Sequence, residues 1–286
     1  MTIRLIDRLG EIAPHYDGFI LDLWGVLHDG LAPLPGALEC LAALRDSGKR
    51  IVLLSNAPRR AADVVERIAR IGVPSLYDHV MSSGEEAWLC LSRRDDPFYA
   101  KLGRRVLHIG SERDLGIREG LALDFVETVA AADFILNTGP AGWDDRLKDY
   151  APVLDAARAR SLPMVCANPD LVVMRGRTLH LCAGALAQHY EESGGTVRWH
   201  GKPYPSIYSA CLALLGIEDR ARILAIGDSL RTDIAGAAAA GLDSLFVTGG
   251  IHAEEFGVGI PDPERVAAAF AALPYRPAGV TGTLRW

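Results

Sequence analysis

Short apolar runs alternate along this chain with longer segments whose apolar residues recur at helical spacing. The runs at 19–23, 51–54, 106–109, 134–136, 164–167, 223–226 and 244–247 predict buried strands. The segments at 37–46, 59–71, 85–92, 146–159, 183–192, 206–215, 232–240 and 263–272 predict helices. Gly48, Gly72, Gly216 and Gly241 fall just past the ends of four of them. Such alternation builds parallel sheets covered by helices, so the fold class is α/β. The tail, 274–286, reads as irregular.

Sites in parallel sheets form at the carboxyl ends of the strands, so the polar residues found there carry the functional information. Asp22 ends the first run, in Phe19-Ile20-Leu21-Asp22-Leu23-Trp24-Gly25-Val26. Ser55 and Asn56 end the second. Gly227-Asp228-Ser229 ends a late one. A single polar tip is most often a turn or a helix cap. Three tips on one parallel sheet converge on one edge, and their conjunction favours a site.

The stretch between Ser55 and Lys202 is far longer than a single crossover requires, which is on the order of a dozen residues. It carries its own strand and helix signals, and turn-like residues flank it at Ser82-Ser83-Gly84 and Ser193-Gly194-Gly195. The expectation is a discontinuous core domain, 1–83 with 197–286, and an inserted second domain, 84–196.

Composition narrows the class. Of 286 residues, 49% are hydrophobic and 23% charged, which is ordinary for a globular protein with a sizeable core. A formal net charge of −6 argues against a nucleic-acid partner, since phosphate backbones want a basic surface. No apolar run approaches the length of a membrane span, and Met1 to Gly10 lacks the apolar core of a signal peptide. The five cysteines are scattered and form no CxxC pair, so neither zinc nor a disulfide framework is expected. The cytoplasm is the expected compartment.

The polar tips suit phosphoryl transfer. That chemistry needs an in-line nucleophile, a divalent cation, donors for the phosphoryl oxygens and a proton for the leaving group. Asp22 is the candidate nucleophile. Mg²⁺ prefers a few carboxylate oxygens, and Asp22, Asp228 and the Trp24 carbonyl could supply ligands, with Asp233 beside them. Ser55 offers a hydroxyl, and Asn56 a main-chain N–H at a helix start, for the phosphoryl group. Lys202, between Gly201 and Pro203, is placed to aim an ammonium at it.

Asp22 in its DxxGV context, Ser55, Lys202 and the Gly-Asp-Ser-x-x-x-Asp run at 227–233 resemble, in order, the four motifs of the haloacid dehalogenase (HAD) superfamily. The insertion resembles that family's C2-type cap, as in the NagD-like, 4-nitrophenylphosphatase and pyridoxal phosphatase branch (subclass IIA). Asn168-Pro169-Asp170 and Gly201-Lys202-Pro203 are similar to that branch too. The resemblance implies a Rossmann-like parallel-sheet core with an inserted α/β cap. It makes Asp22 the nucleophile, with Ser55 and Lys202 on the phosphoryl group. Asp22, Asp228 and the Trp24 carbonyl would hold Mg²⁺, supported by Asp233. A cap loop near Asn168, Asp170 and Arg175 would read a small phosphorylated metabolite. Arg175 and Arg177 either pair with a second anionic group or simply flank a hairpin at Arg175-Gly176-Arg177. The branch leaves room for a homo-oligomer through the cap.

One position departs from the pattern. HAD phosphatases carry a second aspartate two residues past the nucleophile, as general acid for the leaving group. This chain has Trp24. Its carbonyl serves a metal as well as any other; its side chain cannot supply a proton. General acid help is typically worth ~10²–10⁴-fold in rate. His28 and Asp29 lie just beyond and are the candidates to replace it. The alternative to an enzyme is a protein that binds a phosphate ligand, with weak or lost catalysis.

Overall fold

The computed structural model describes residues 3–175, 178–250, 253–257 and 259–286. The chain divides into two compact units. The first comprises Met1–Ser55, Val65–Met81 and Lys202–Trp286; the second comprises Asn56–Val64 and Ser82–Gly201. From the sequence, changeovers were expected at 83/84 and 196/197. The units change over at 81/82 and 201/202, and Asn56–Val64 joins the second unit.

The strands in chain order are β1 (Gly18–Asp22), β2 (Arg50–Ser55), β3 (His79–Ser82), β4 (Arg105–Ile109), β5 (Asp124–Val126), β6 (Phe134–Asn137) and β7 (Met164–Cys166). They continue with β8 (Val172–Arg175), β9 (Thr178–Leu181), β10 (Val197–Trp199), β11 (Ile223–Gly227), β12 (Asp243–Val247) and β13 (Gly279–Thr281).

The first unit is built on a six-stranded sheet in the order β13-β12-β11-β1-β2-β3. β1 is central and buried along its whole length, as a near-continuous apolar run requires. It pairs in parallel with β2 on one side and β11 on the other. Asp22 lies opposite Leu54, and Leu21 opposite Ile226. Ser55 and Asp228 are each one or two residues beyond these partners, so all three tips reach the same sheet edge. The helices Ala37–Asp46, Pro205–Leu215 and Pro263–Ala271 pack apolar residues such as Leu41, Ile207 and Phe270 into the core.

The second unit carries a five-stranded parallel sheet, β10-β7-β6-β4-β5, and an antiparallel hairpin of β8 and β9. Its core includes Ile135, Met164, Leu186 and Tyr190 on one side and Phe134, Leu136, Val165 and Tyr99 on the other. Ser82 starts the helix Ser83–Arg93, its side chain accepting from the Glu85 N–H at 3.0 Å.

Three expectations change. The tail is not wholly irregular: Gly279–Thr281 adds a parallel edge strand to β12. The helix expected at 59–71 starts at Ala61. The helix expected at 232–240 begins earlier, as a π-helical turn over Leu230–Ile234, and then runs as Ala235–Ala239. Among the described residues, no helix is long and apolar enough to cross a membrane. None of the five cysteines is in a disulfide.

Candidate active site

Asp22, Asp228 and Asp233 meet at the carboxyl edge of the first unit's sheet. One carboxylate oxygen from each lies within 4.8 Å of the others. All three residues are buried, at 8%, 3% and 5% exposure. Lys202, also buried, places its Nζ 2.7 Å from Asp22 Oδ1 and 2.7 Å from Asp233 Oδ1. Asp22 Oδ1 further accepts the Leu23 N–H at 2.8 Å, which orients the carboxylate at the strand tip.

The sequence around each acid explains its place. Gly227 leaves room for Asp233: a Cβ there would lie 2.1 Å from Asp233 Cγ. Asp233 Oδ2 accepts the Ser229 N–H (3.2 Å) and the Thr232 hydroxyl (3.3 Å), and Ser229 Oγ caps the turn at the Thr232 N–H. Tyr208, on Pro205–Leu215, donates its hydroxyl to the Asp233 carbonyl at 3.0 Å. Asp228 sits in a cradle of two glycines. A Cβ on Gly25 or on Gly250 would fall 1.9 Å from its Oδ2, and Gly25 also has φ +76°.

Two carboxylates share one ammonium and a third carboxylate lies beside them, so charge shapes the site. Burial pushes the Asp22 carboxyl well above the ordinary carboxylate range, and Asp233 and Asp228 push the same way against the pull of Lys202. Burial alone would lower Lys202, but Asp22 and Asp233 outweigh it and hold the ammonium well above the usual lysine value. The donor set is hard oxygen with excess negative charge, which suits Mg²⁺ and not a softer metal. The two glycines leave beside Asp228 the room that a Cβ would fill, and the three carboxylates converge, so the residues fit that ion.

Trp24 lies in the loop after β1. Its ring meets His28 edge-on, with centroids 5.7 Å apart at 81°. His28 is buried, and its Nδ1 accepts the Gly30 N–H at 3.0 Å. Burial, with Arg67 adding to it and Asp29 opposing, pushes His28 down to about 4, so the imidazole is neutral at neutral pH. Asp29 is exposed and holds the turn, its Oδ1 accepting the N–H groups of Leu31 (2.8 Å) and Ala32 (2.9 Å).

Ser55 ends β2 in the first unit; of the candidates in the second unit, Asn56, Asn168 and Asp170 form a group of their own. Asn56 Nδ2 donates to Asp170 Oδ1 at 2.9 Å, and Asn168 Oδ1 accepts the Asp170 N–H at 2.9 Å. The side chain of Arg175, and all of Arg177, lie outside the described residues. Sequence reasoning missed Tyr208, Thr232 and Gly250. A signal for Gly250 was present: Thr248-Gly249-Gly250 follows β12 and forms a fourth polar tip on the same sheet.

Residues 19–122 match the haloacid dehalogenase-like hydrolase family and residues 199–273 the HAD-hydrolase-like family. The chain is 32% identical over 237 residues to the ribonucleotide monophosphatase NagD of Escherichia coli K12, covering 81% of this chain and 87% of that protein. A haloacid dehalogenase-like hydrolase from Brucella suis superimposes with a TM-score of 0.83 at 37% identity, over 98% of this chain and 100% of that one. A glycerol phosphate phosphatase of Mycobacterium tuberculosis, solved in complex with magnesium, superimposes at 0.71 and 27% identity, over 94% of this chain and 76% of that one. The chain therefore belongs to the haloacid dehalogenase-like hydrolases. Within them it falls in subclass IIA, the NagD-like branch.

Proposed function

We propose that this protein is a Mg²⁺-dependent phosphatase of a small phosphorylated metabolite, acting through an aspartyl-phosphate on Asp22. The observation that carries the reading is the bridge of Lys202 between Asp22 and Asp233, beside Asp228, on the tips of β1 and β11. The phosphatase names of the relatives, and the magnesium complex of one of them, support it.

Asp22 attacks phosphorus with the carboxylate that the Leu23 N–H orients. Lys202 offers its ammonium to the phosphoryl oxygens, and Ser55 adds a hydroxyl at the neighbouring strand tip. Asp22, Asp228 and the Trp24 carbonyl, with Asp233 in support, would hold Mg²⁺, which when bound offsets phosphoryl charge. Water then hydrolyses the aspartyl-phosphate and frees the Asp22 carboxylate. The second unit is read as the cap, and Asn168 and Asp170 as part of the loop that meets the substrate. Their mutual hydrogen bonds, and that of Asn56, give this loop a fixed shape.

The test is acid quenching during turnover of an aryl phosphate, followed by peptide mapping. A phosphoryl adduct on the peptide holding Asp22 is expected, absent in Asp22→Asn and without Mg²⁺. Full turnover by Asp22→Asn would refute the reading. A second reading, a phosphate-binding or regulatory protein, draws on Trp24. It predicts phosphate binding with no adduct.

A further inference from the structure

We propose that the substrate is a phosphoryl compound whose leaving group departs as a weak base: an aryl or enol phosphate, an acyl phosphate or a phosphoanhydride. The proposal rests on Asp22 being the nucleophile and adds the substrate class to that reading.

The argument starts with Trp24. An indole N–H donates a hydrogen bond but does not give up its proton. Nor is the indole a loose occupant of the acid position. Gly30 has φ +91°, and a Cβ there would strike Trp24 Cη2 at 2.3 Å, so the loop is shaped around the ring. His28 closes the other contact, edge-on.

The neighbouring titratable groups of the first unit are already committed. His28 Nδ1 is an acceptor, taken by the Gly30 N–H, and the ring is 4% exposed. Asp29 faces solvent and closes its own turn. The Lys202 ammonium is shared by two carboxylates. Tyr208 donates to the Asp233 carbonyl. Asp228 and Asp233 belong to the metal set. Among the described residues of the first unit, the geometry thus holds a nucleophile, an ammonium and a metal site, with no acid aimed at the leaving oxygen.

The steps follow. An Asp22 oxygen bonds to phosphorus as the bond from phosphorus to the leaving oxygen breaks. That oxygen leaves with the electron pair and takes its proton from solvent. A phenol, with a pKa of about 10, allows this; an alkanol, close to water at about 15.7, does not. Water then bonds to phosphorus, the bond to Asp22 breaks, and the proton of the water goes to solvent. The second step also lacks a base. With a good leaving group it becomes the slower one, and the aspartyl-phosphate accumulates.

The experiment is a series of aryl and alkyl phosphates of graded leaving-group basicity, with rapid-mixing kinetics, on wild type and Trp24→Asp. Wild type should turn over alkyl esters at least ~10²-fold less efficiently than aryl esters. It should release a burst of about one equivalent of phenol per site. Trp24→Asp should raise alkyl-ester turnover and remove the burst. Alkyl and aryl esters turned over within about tenfold of each other by wild type, with no burst, would overturn the proposal and leave Asp22 as nucleophile. The wild-type series decides this even where Trp24→Asp does not fold. No turnover of any ester and no adduct on Asp22 would instead overturn the reading beneath it.

Discussion

Replacing Asp22 by asparagine should stabilise the metal-free protein while abolishing its activity. Asparagine keeps the volume and an acceptor for the Lys202 ammonium and the Leu23 N–H, and removes only the charge. Each neighbouring carboxylate, with its oxygen no more than 4.8 Å away, repels Asp22 by roughly 3.5 kcal/mol at an effective dielectric of 20. Lys202, at 2.7 Å, attracts it by roughly 6 kcal/mol on the same scale. Two repulsions and one attraction nearly cancel, so the desolvation of a buried charge decides the sign. The raised Asp22 pKa says the same: ionisation is easier in the unfolded chain, so this group's contribution falls as pH rises above the ordinary carboxylate value. A net gain of about 1–3 kcal/mol is expected for Asp22→Asn, discounted for relaxation around the site. The assay is thermal unfolding with EDTA and with Mg²⁺. In EDTA the variant should melt a few degrees above wild type. In Mg²⁺ wild type should gain about 2.7 kcal/mol at a hundred times its dissociation constant, and the variant much less, so the order reverses. A variant that melts below wild type in EDTA would refute the reasoning.

Two further predictions test parts of the same frame. Gly227→Ala forces a methyl to within 2.1 Å of Asp233 Cγ; about 1–3 kcal/mol of stability should be lost, with a larger fractional loss of activity than of folded protein, read by unfolding and turnover together. His108, in the second unit, donates to or accepts from Thr138 Oγ1 at 2.8 Å and accepts from Arg118 Nε at 2.9 Å. Burial, then Arg118, pushes it down to about 3. The unfolded chain therefore takes up a proton below about pH 6.5 that the folded protein refuses until about 3. Stability from this group is full above 6.5 and falls with pH through that window. His108→Gln should lose roughly 2 kcal/mol less than wild type between pH 7 and pH 5; equal losses in urea titrations would contradict it.

The parts of the fold legible in the sequence are those buried on both faces. β1 and β11 are continuous apolar runs, and their ends were placed to within a residue. The strands at the edges escaped notice. β10 is three half-buried residues with arginine in the middle, and β13 lies in a proline- and glycine-rich tail. Neither has a run long enough to show a period; each is a strand because the buried neighbour it pairs with offers it hydrogen bonds. The site divides the same way. Asp22 and Asp228 stand out because charges at the ends of buried strands are improbable without a task, and Lys202 and Asp233 through the Gly-Lys-Pro and Gly-Asp-Ser-x-x-x-Asp runs that hold them. The glycine cradle around Asp228, and the anchoring of Asp233 by Tyr208, depend on residues far apart in sequence and emerge only in three dimensions. Asn56 illustrates the limit: the sequence offers its main-chain N–H, while the hydrogen bond of its side chain to Asp170 joins residues far apart in the chain and emerges only in the structure.

The pairing of Gly18 with Ile223 has a consequence for how this chain reaches its structure. The strand that carries Asp22 is synthesised early, but one of its two sheet neighbours follows the whole second unit. Closing so long a loop in an open chain is entropically unfavourable and slow. The second unit shortens that loop. At its end, Gly201 fits so closely against Ser83, near its start, that a Cβ there would lie 2.9 Å from Ser83 Cβ. Once the segment has folded, its entrance and exit are side by side, and the loop to be closed between β1 and β11 is shorter by the length of that segment. Folding of the inserted segment thereby lowers the entropic barrier to assembling the sheet that carries Asp22.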